Sequence, residues 1–541
     1  MSKKHHKHPI PAGGAGKAVS ESRTPLRDNL ESIVMAILMV LVVRQVVVEA
    51  YKIPTGSMAP TLLGVHKEVR CPNCGWTFRV GHEKVGLVDE VECPNCHYTW
   101  PGASEYYPGQ YGGEQINFRR PAWLWNLGST AVSEQPVRGM EAANRVSRWG
   151  SRIFVNKFLY KIRDPRRWEV IVFRYPYLKA QCRDCGWEGD LDPDGPHRCP
   201  VDGSTNLAIT RKNYIKRLIG LPGETVLIRH GDIYISPSDQ PDRFQLARKP
   251  HAVQQRLWIP CFDSSYVPQQ LIRRRWEYLS AGNHWQENET TGALTCDATD
   301  AGEGQLVRFA RPILDTYAYN GNQREVRNDV GIDRFHTVGD LRLRLRLTAK
   351  SATAAPDAAV LLGITEDDHE FRLVLPVRGG EARLEENGET VARSWAEPIG
   401  NGDPTEVALE NYDDRVVASL AGNVLFQHDY SGAPEPVGHR QDVTFGARGV
   451  KVTFHRIRID RDIYYIARRG RHRDTVRYEL DDDSYMVLGD NSPASSDSRA
   501  WPNPQVPAEN LMGQAFAIFW PIHDIELLSI GTQPEKKGEP Q

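Results

Sequence analysis

Net charge and long hydrophobic runs are what this 541-residue chain has least of. Its 67 basic residues nearly cancel 69 acidic ones, and a formal net charge of −2 removes any reason to expect a polyanionic partner such as nucleic acid. A single apolar run stands out, Ile33 to Val43. No later stretch is long enough to cross a membrane: Ala515 to Trp520 is short and ends at Pro521, as suits a buried strand. No convincing small-residue cleavage site follows the run between Arg44 and Pro60, which argues against a removed secretory leader. The chain also lacks a Gly-x-Ser-x-Gly elbow, the residue order of a His-based triad and a helix-turn-helix segment.

What is present begins with that run. Leu30 to Val48 is about 19 residues, roughly enough helix to cross the hydrocarbon core once. Lys3, Lys4, Lys7, Lys17, Arg23 and Arg27 all precede it, and basic flanks stay on the cytoplasmic side. The expectation is a single-pass protein of the inner (cytoplasmic) membrane, its N-terminus cytoplasmic and its body extracytoplasmic. The first ~28 residues show no hydrophobic periodicity and read as a disordered tail, in which His5, His6 and His8 are solvated rather than metal-binding. A length of 541 residues is more than one core usually organises, so several domains are expected.

Within about a dozen positions of the apolar run comes Pro54-Thr55-Gly56-Ser57-Met58-Ala59-Pro60-Thr61-Leu62. A serine hydroxyl is a poor nucleophile at neutral pH and needs a base. The candidate base is Lys216, in the apolar strand Tyr214-Ile215-Lys216-Arg217-Leu218-Ile219 that runs into Gly220-Leu221-Pro222-Gly223. Alternation places Lys216 on the face of Tyr214 and Leu218, away from Arg217. Apolar surroundings disfavour an ammonium, lower its pKa and let the neutral amine take a proton. A lysine snorkelling at the surface is the competing reading of that segment alone.

The serine segment, Ile153-Phe154-Val155-Asn156-Lys157 and the Lys216 strand occur in an order and spacing that resemble the type I signal peptidases. Gly489-Asp490-Asn491-Ser492-Pro493-Ala494-Ser495-Ser496-Asp497-Ser498-Arg499 is similar at both ends to that family's last box, and Met512-Gly513-Gln514-Ala515 to its closing strand. The resemblance implies Ser57 as acylating nucleophile and Lys216 as general base. It further implies Thr55, with the Ser57 amide, as oxyanion donor; Ser495 as the hydroxyl that orients the lysine; and Met58 near the substrate. Asp497 and Arg499 are implied as a supporting ion pair. Two departures bear on that support: Ser492-Pro493-Ala494 replaces an Arg-Asp-Asn centre, and Trp168-Glu169 replaces Gly-Asp before Val170-Ile171-Val172-Phe173.

Three insertions enlarge the chain. The first carries Cys71-Pro72-Asn73-Cys74 and Cys93-Pro94-Asn95-Cys96, two knuckles about 18 residues apart, the spacing of a zinc ribbon; disulfides are the alternative in an oxidising compartment. A second, weaker set joins Cys182, Cys185 and Cys199 to Asp202, with His197 the other candidate ligand and a metal-free ribbon the alternative. Cys261 and Cys296 read as a disulfide or two thiols. In the third insertion, Leu341–Leu347, Phe371–Val377, Glu406–Ala421 and Val443–Ile459 alternate between turns, as an antiparallel β-sandwich does, and the end from Phe445 resembles a concanavalin-like jelly roll. Trp258, Trp276 and Trp285 read as core residues before sugar platforms.

The expected architecture is mainly β: one N-terminal transmembrane helix, then a signal-peptidase-type β-fold interrupted by zinc ribbons and a jelly-roll-like sandwich. In order, 1–28 is the tail, 29–48 the anchor, 49–64 the serine box, 65–150 the first ribbon insertion and 151–177 catalytic domain. Then 178–211 is the second ribbon, 212–235 the lysine strand, 236–463 the sandwich insertion (sandwich about 338–463), 464–530 the closing catalytic segment and 531–541 a tail. The resemblance implies a membrane-anchored serine endopeptidase that removes signal peptides from exported preproteins after small residues. Catalysis would need no cofactor, and structural zinc is expected at the first ribbon. Partners would be preproteins, the bilayer, and secretion machinery or glycan through the sandwich. The competing class is an inactive protease scaffold used for envelope binding or assembly.

Overall fold

The computed structural model describes residues 25–81, 90–101, 147–321, 335–432, 440–467 and 475–528, less 241, 281, 283, 301, 303, 351–353 and 401. Residues 1–24 of the tail expected over 1–28, including the N-terminal histidines, and the tail at 531–541 lie outside these residues, while residues 25–28 are helical rather than part of a disordered tail. The chain divides into two compact units, 1–49 and 50–541. In the first, an α-helix spans Pro25–Val46 and takes in the apolar run. Among the described residues no helix is long and apolar enough to cross a membrane.

Among the described residues the second unit is mainly β, as alternation and the many Gly, Asn and Asp turns predict. The sheet that carries Lys216 includes, in spatial order, Arg152–Asn156, Leu511–Trp520, Val170–Arg174, Asn213–Gly220, Ser484–Leu488 and Val506–Pro507. The lysine strand is central, with Lys216 opposite Ile171 and Arg217 opposite Leu488. Segments distant in sequence therefore meet at one strand. Ser151 joins the serine box to this sheet: its amide donates to the Leu63 carbonyl, and its hydroxyl accepts from the Leu63 amide at 3.1 Å.

The large insertion forms two packed sheets. One runs Trp285–Glu287, Leu294–Asp297, Lys451–Arg461, Leu341–Ala349, Thr405–Tyr412, Arg415–Leu420, Asn423–Asp429. The other runs Trp276–Tyr278, Gln305–Phe309, Gln441–Arg448, Ala359–Glu366, His369–Pro376, Gly380–Glu386, Glu389–Ala396. Leu341, Leu343, Leu345 and Leu347 all point into the core between them, the direct result of period-two alternation. The sandwich is wider than the 338–463 read from sequence. Short strands from Ile259 onward join both sheets, and they are anchored by the buried Trp276 and Trp285 rather than by a visible alternation. Trp258 is buried too, so all three tryptophans are core residues. Cys261 and Cys296 are separate thiols.

Candidate active site

Lys216 is the residue on which the site is built. Its side chain, 4 % exposed, leaves the central strand among apolar neighbours, and Nζ lies 2.9 Å from Ser57 Oγ and 3.0 Å from the Ile215 carbonyl. Burial lowers its pKa to about 8; the carboxylates Asp497 and Asp490 oppose that shift and Arg499 adds to it. The lysine is therefore no snorkelling surface residue.

The neighbouring Arg217 points the other way, as alternation requires, into a second buried network. Its guanidinium clamps both oxygens of Asp490 at 2.6 Å, donates to the Trp168 carbonyl at 2.8 Å and reaches Thr61 Oγ1 at 3.0 Å. This single side chain links the lysine strand, the closing box and the serine box. Sequence reasoning missed it and Asp490, although the Gly-Asp-Asn start of the closing box was visible.

Asp497 and Arg499 pair as expected: Nη2 to Oδ2 at 2.6 Å and Nε to Oδ1 at 2.8 Å, both side chains fully buried. Asp497 Oδ2 also accepts from the Gly489 amide at 3.0 Å. The altered centre of the box is built into this pair. Ser492 Oγ accepts from Arg499 Nη1 at 2.7 Å and from the Ile466 amide at 2.9 Å, and the Ser492 carbonyl accepts from Nη2 at 3.0 Å. Ser495 is buried beside the Ser57 loop. A methyl on Gly489 would stand 2.1 Å from Ser495 Oγ and 2.5 Å from the Ser57 carbonyl, so only glycine fits between them.

At the other departure, Trp168 adopts φ 72°, the left-handed backbone that favours glycine. The buried indole holds it there, packing in a core cluster and donating from Nε1 to the Arg248 carbonyl of the large insertion at 3.1 Å. Met58 is fully buried against Ile53, Leu62, Ile153 and Val155, so its side chain is a core element of the serine box. Thr55 is exposed.

Both cysteine sets assemble. Sγ atoms of Cys71, Cys74, Cys93 and Cys96 lie within 4.8 Å of one another, with Cys71–Cys96 at 3.6 Å and Cys74–Cys93 at 3.7 Å. A zinc tetrahedron with arms of about 2.3 Å has sulfur–sulfur edges of about 3.8 Å, so these residues fit such an ion and are not cross-linked to one another. The two spacer asparagines hold the ribbon to the sandwich insertion. Asn73 exchanges hydrogen bonds with the Gln270 backbone at 2.8 Å, and Asn95 donates to the Tyr266 carbonyl at 3.0 Å. In the second set Cys182, Cys185, Cys199 and Asp202 converge likewise, Cys185 exposed, while the His197 ring bonds the Pro193 carbonyl and is not among the converging groups.

A family model described as "Signal peptidase, peptidase S26" matches residues 129–272 and 453–520, which hold Lys216, Asp490, Ser495, Asp497 and Arg499. Over 57 residues the chain is 44% identical to the probable signal peptidase I-2 of Synechocystis sp. (strain ATCC 27184 / PCC 6803 / Kazusa), covering 10% of this chain and 25% of that protein. The chain thus spans a quarter of the length of that curated relative. Among solved structures it is similar to a carbohydrate-binding module, CBM66, of Bacillus subtilis (10% identity, TM-score 0.24, 34% of this chain and 93% of that one). It is similar also to a Bacillus subtilis protein with a galectin-like fold (10% identity, TM-score 0.26, 38% and 96%). Set beside these ordered boxes, the family-model match and the curated relative support the type I signal peptidase family for this chain.

Proposed function

We propose that this protein is a membrane-anchored serine endopeptidase that removes signal peptides from exported preproteins after small residues. The observation that carries the reading is the buried Lys216 amine 2.9 Å from Ser57 Oγ. With its pKa lowered to about 8, the amine is partly neutral near physiological pH and its lone pair can accept the serine proton. Ser57 Oγ then attacks the scissile carbonyl. The Ser57 amide and Thr55 hydroxyl would meet the developing oxyanion, and Lys216 passes its proton to the leaving amine. The same lysine next activates water to release the acyl group from Ser57. Arg217, Asp490, Asp497 and Arg499 act as a scaffold that keeps serine and lysine in register.

An anchor at 29–48 would place the body outside the cytoplasm at the inner membrane, beside substrates that their own signal segments hold in the bilayer. Local concentration would then stand in for tight binding. We further propose structural zinc on Cys71, Cys74, Cys93 and Cys96, supported by buried thiols at tetrahedral spacing. The second set offers one carboxylate in place of a thiolate and is the weaker candidate. Zinc has no step in the chemistry.

The test is cleavage of a model preprotein by detergent-solubilised wild type, Ser57→Ala and Lys216→Ala. Cleavage at the signal junction by wild type alone is expected. A folded but silent wild type would favour the binding scaffold, and an active Lys216→Ala would mean that the base is another group.

A further inference from the structure

The large insertion reaches the nucleophile. Between the sandwich strands Gln305–Phe309 and Leu341–Ala349, residues 315–321 leave the sandwich and include the short 3-10 turn Ala318–Asn320. This segment is tied back to the sandwich by Arg461, whose Nη2 donates to the Thr316 carbonyl at 2.7 Å. Its 3-10 turn lies against the serine box. Tyr319 is buried with Ala59 and Leu63, and a methyl on Gly56 would meet the Tyr319 ring at 2.2 Å. Gly56 therefore leaves room for a residue that belongs to the insertion.

Beside it, Asn320 and Asn491 form a closed amide pair, both residues 2 % exposed. Asn320 Nδ2 donates to Asn491 Oδ1 at 2.8 Å, and Asn491 Nδ2 donates to Asn320 Oδ1 at 2.7 Å. The other hydrogen of Asn491 Nδ2 goes to the Gly56 carbonyl at 3.0 Å, and the Asn491 amide donates to the Ser57 carbonyl at 3.1 Å. Two successive carbonyls of the nucleophile loop thus hang from Asn491. A side-chain amide can turn over, and turned over it would set Oδ1 against the Gly56 carbonyl, acceptor against acceptor. The Gly56 carbonyl thus sets which way the Asn491 amide points, and Asn320, donating to one end of that amide and accepting from the other, holds it in place.

We infer that Asn320, supplied by the sandwich insertion, is a positioning residue for Ser57, acting through Asn491. The insertion is then part of the catalytic centre rather than a module hung from its surface. This rests on Ser57 being the nucleophile. A displacement of the loop by a fraction of an ångström changes the approach of Oγ to both Lys216 and substrate, and misplacement of about 1 Å costs on the order of a hundredfold in rate.

The test uses the full chain in detergent, with wild type, Asn320→Ala, Asn320→Asp, Asn491→Ala and the double alanine variant. Three quantities are read: kcat and KM on a model preprotein, the rate at which a fluorophosphonate probe labels Ser57 by intact mass, and the thermal midpoint. Asn320→Ala should lower kcat and Ser57 labelling together by about ten- to a hundredfold with KM unchanged within about twofold. Asn320→Asp keeps the acceptor but loses the donor and should fall between. On the Asn491→Ala background, removing Asn320 should change the rate by less than about twofold, a coupling that separate structural roles would not produce. Wild-type kcat and labelling in Asn320→Ala, or additive losses in the double variant, would overturn the inference while leaving the dyad intact. Failure of the wild type itself to label or cleave would overturn the dyad, and the inference with it.

Discussion

Raising the pH from 6 to 9.5 titrates one amine of the proposed machinery, Lys216, whose pKa burial brings down to about 8. Only the neutral amine can accept the Ser57 proton. Its fraction in the resting enzyme is about one per cent at pH 6, about a tenth at pH 7 and about nine-tenths at pH 9. Initial rates of preprotein cleavage below saturation should therefore climb nearly tenfold per unit at first and flatten above about pH 9, a gain on the order of ninetyfold between pH 6 and 9. Stability should move with the same group. The folded-state value lies below the ordinary lysine value of 10.5, so between the two the unfolded chain holds more protons and stability rises with pH. Below about pH 8 the full penalty is present, roughly 3 kcal/mol at about 1.4 kcal/mol per unit. Lys216→Met should accordingly abolish cleavage yet stabilise the protein at pH 7 by about 1–3 kcal/mol in urea, less whatever its hydrogen bonds contributed, with the gap closing towards pH 10. A rate profile flat from pH 7 to 9.5, or a midpoint near 10.5, would refute the argument that burial prepares this amine as a base.

Arg217→Met should destabilise the protein by about 3–5 kcal/mol in urea unfolding, because it leaves the buried Asp490 carboxylate without its two-pronged partner; a loss below about 1 kcal/mol would mean that water reaches the pair. Gly489→Ala should cut cleavage at least about tenfold, since the new methyl presses on both Ser495 and the Ser57 carbonyl, and an unchanged rate would show that the loop yields. Gly56→Ala should be similarly impaired by the Tyr319 ring, and Tyr319→Leu should recover part of the activity if that contact is the cause. Metal analysis of the purified protein should find zinc at the first ribbon, with about one equivalent lost in Cys74→Ser together with a lower thermal midpoint; no change in zinc content would rule the ribbon out as its holder.

Local readings that depended on period and turn chemistry came through at the level of single elements. The Lys216 strand, the buried strand ending at Trp520 and the leucine alternation of Leu341–Leu347 all lie where the pattern placed them, within a few residues. Glu406–Ala421 and Val443–Ile459 each split into two strands, because turns at Asp413-Asp414 and Gly449-Val450 break what alternation alone reads as continuous. The early strands of the sandwich were not legible. Three-residue strands such as Trp276–Tyr278 are too short to show a period, and their place comes from aromatic packing against strands well over a hundred residues further along the chain.

The sequence by itself determined which residues could do the chemistry. A serine in a proline-flanked turn, a lysine in an apolar strand and paired cysteines at knuckle spacing are identities and local intervals, and those are written along the chain. Only the tertiary structure decided what surrounds them. The Arg217–Asp490 clamp spans 273 positions and the Asn320–Asn491 pair spans 171, and no periodicity reports a contact between a polar residue and a partner that far away. Burial is equally a property of the assembled sheets: the same lysine is a solvated cation in an isolated strand and an amine of pKa about 8 once the closing strands remove its water.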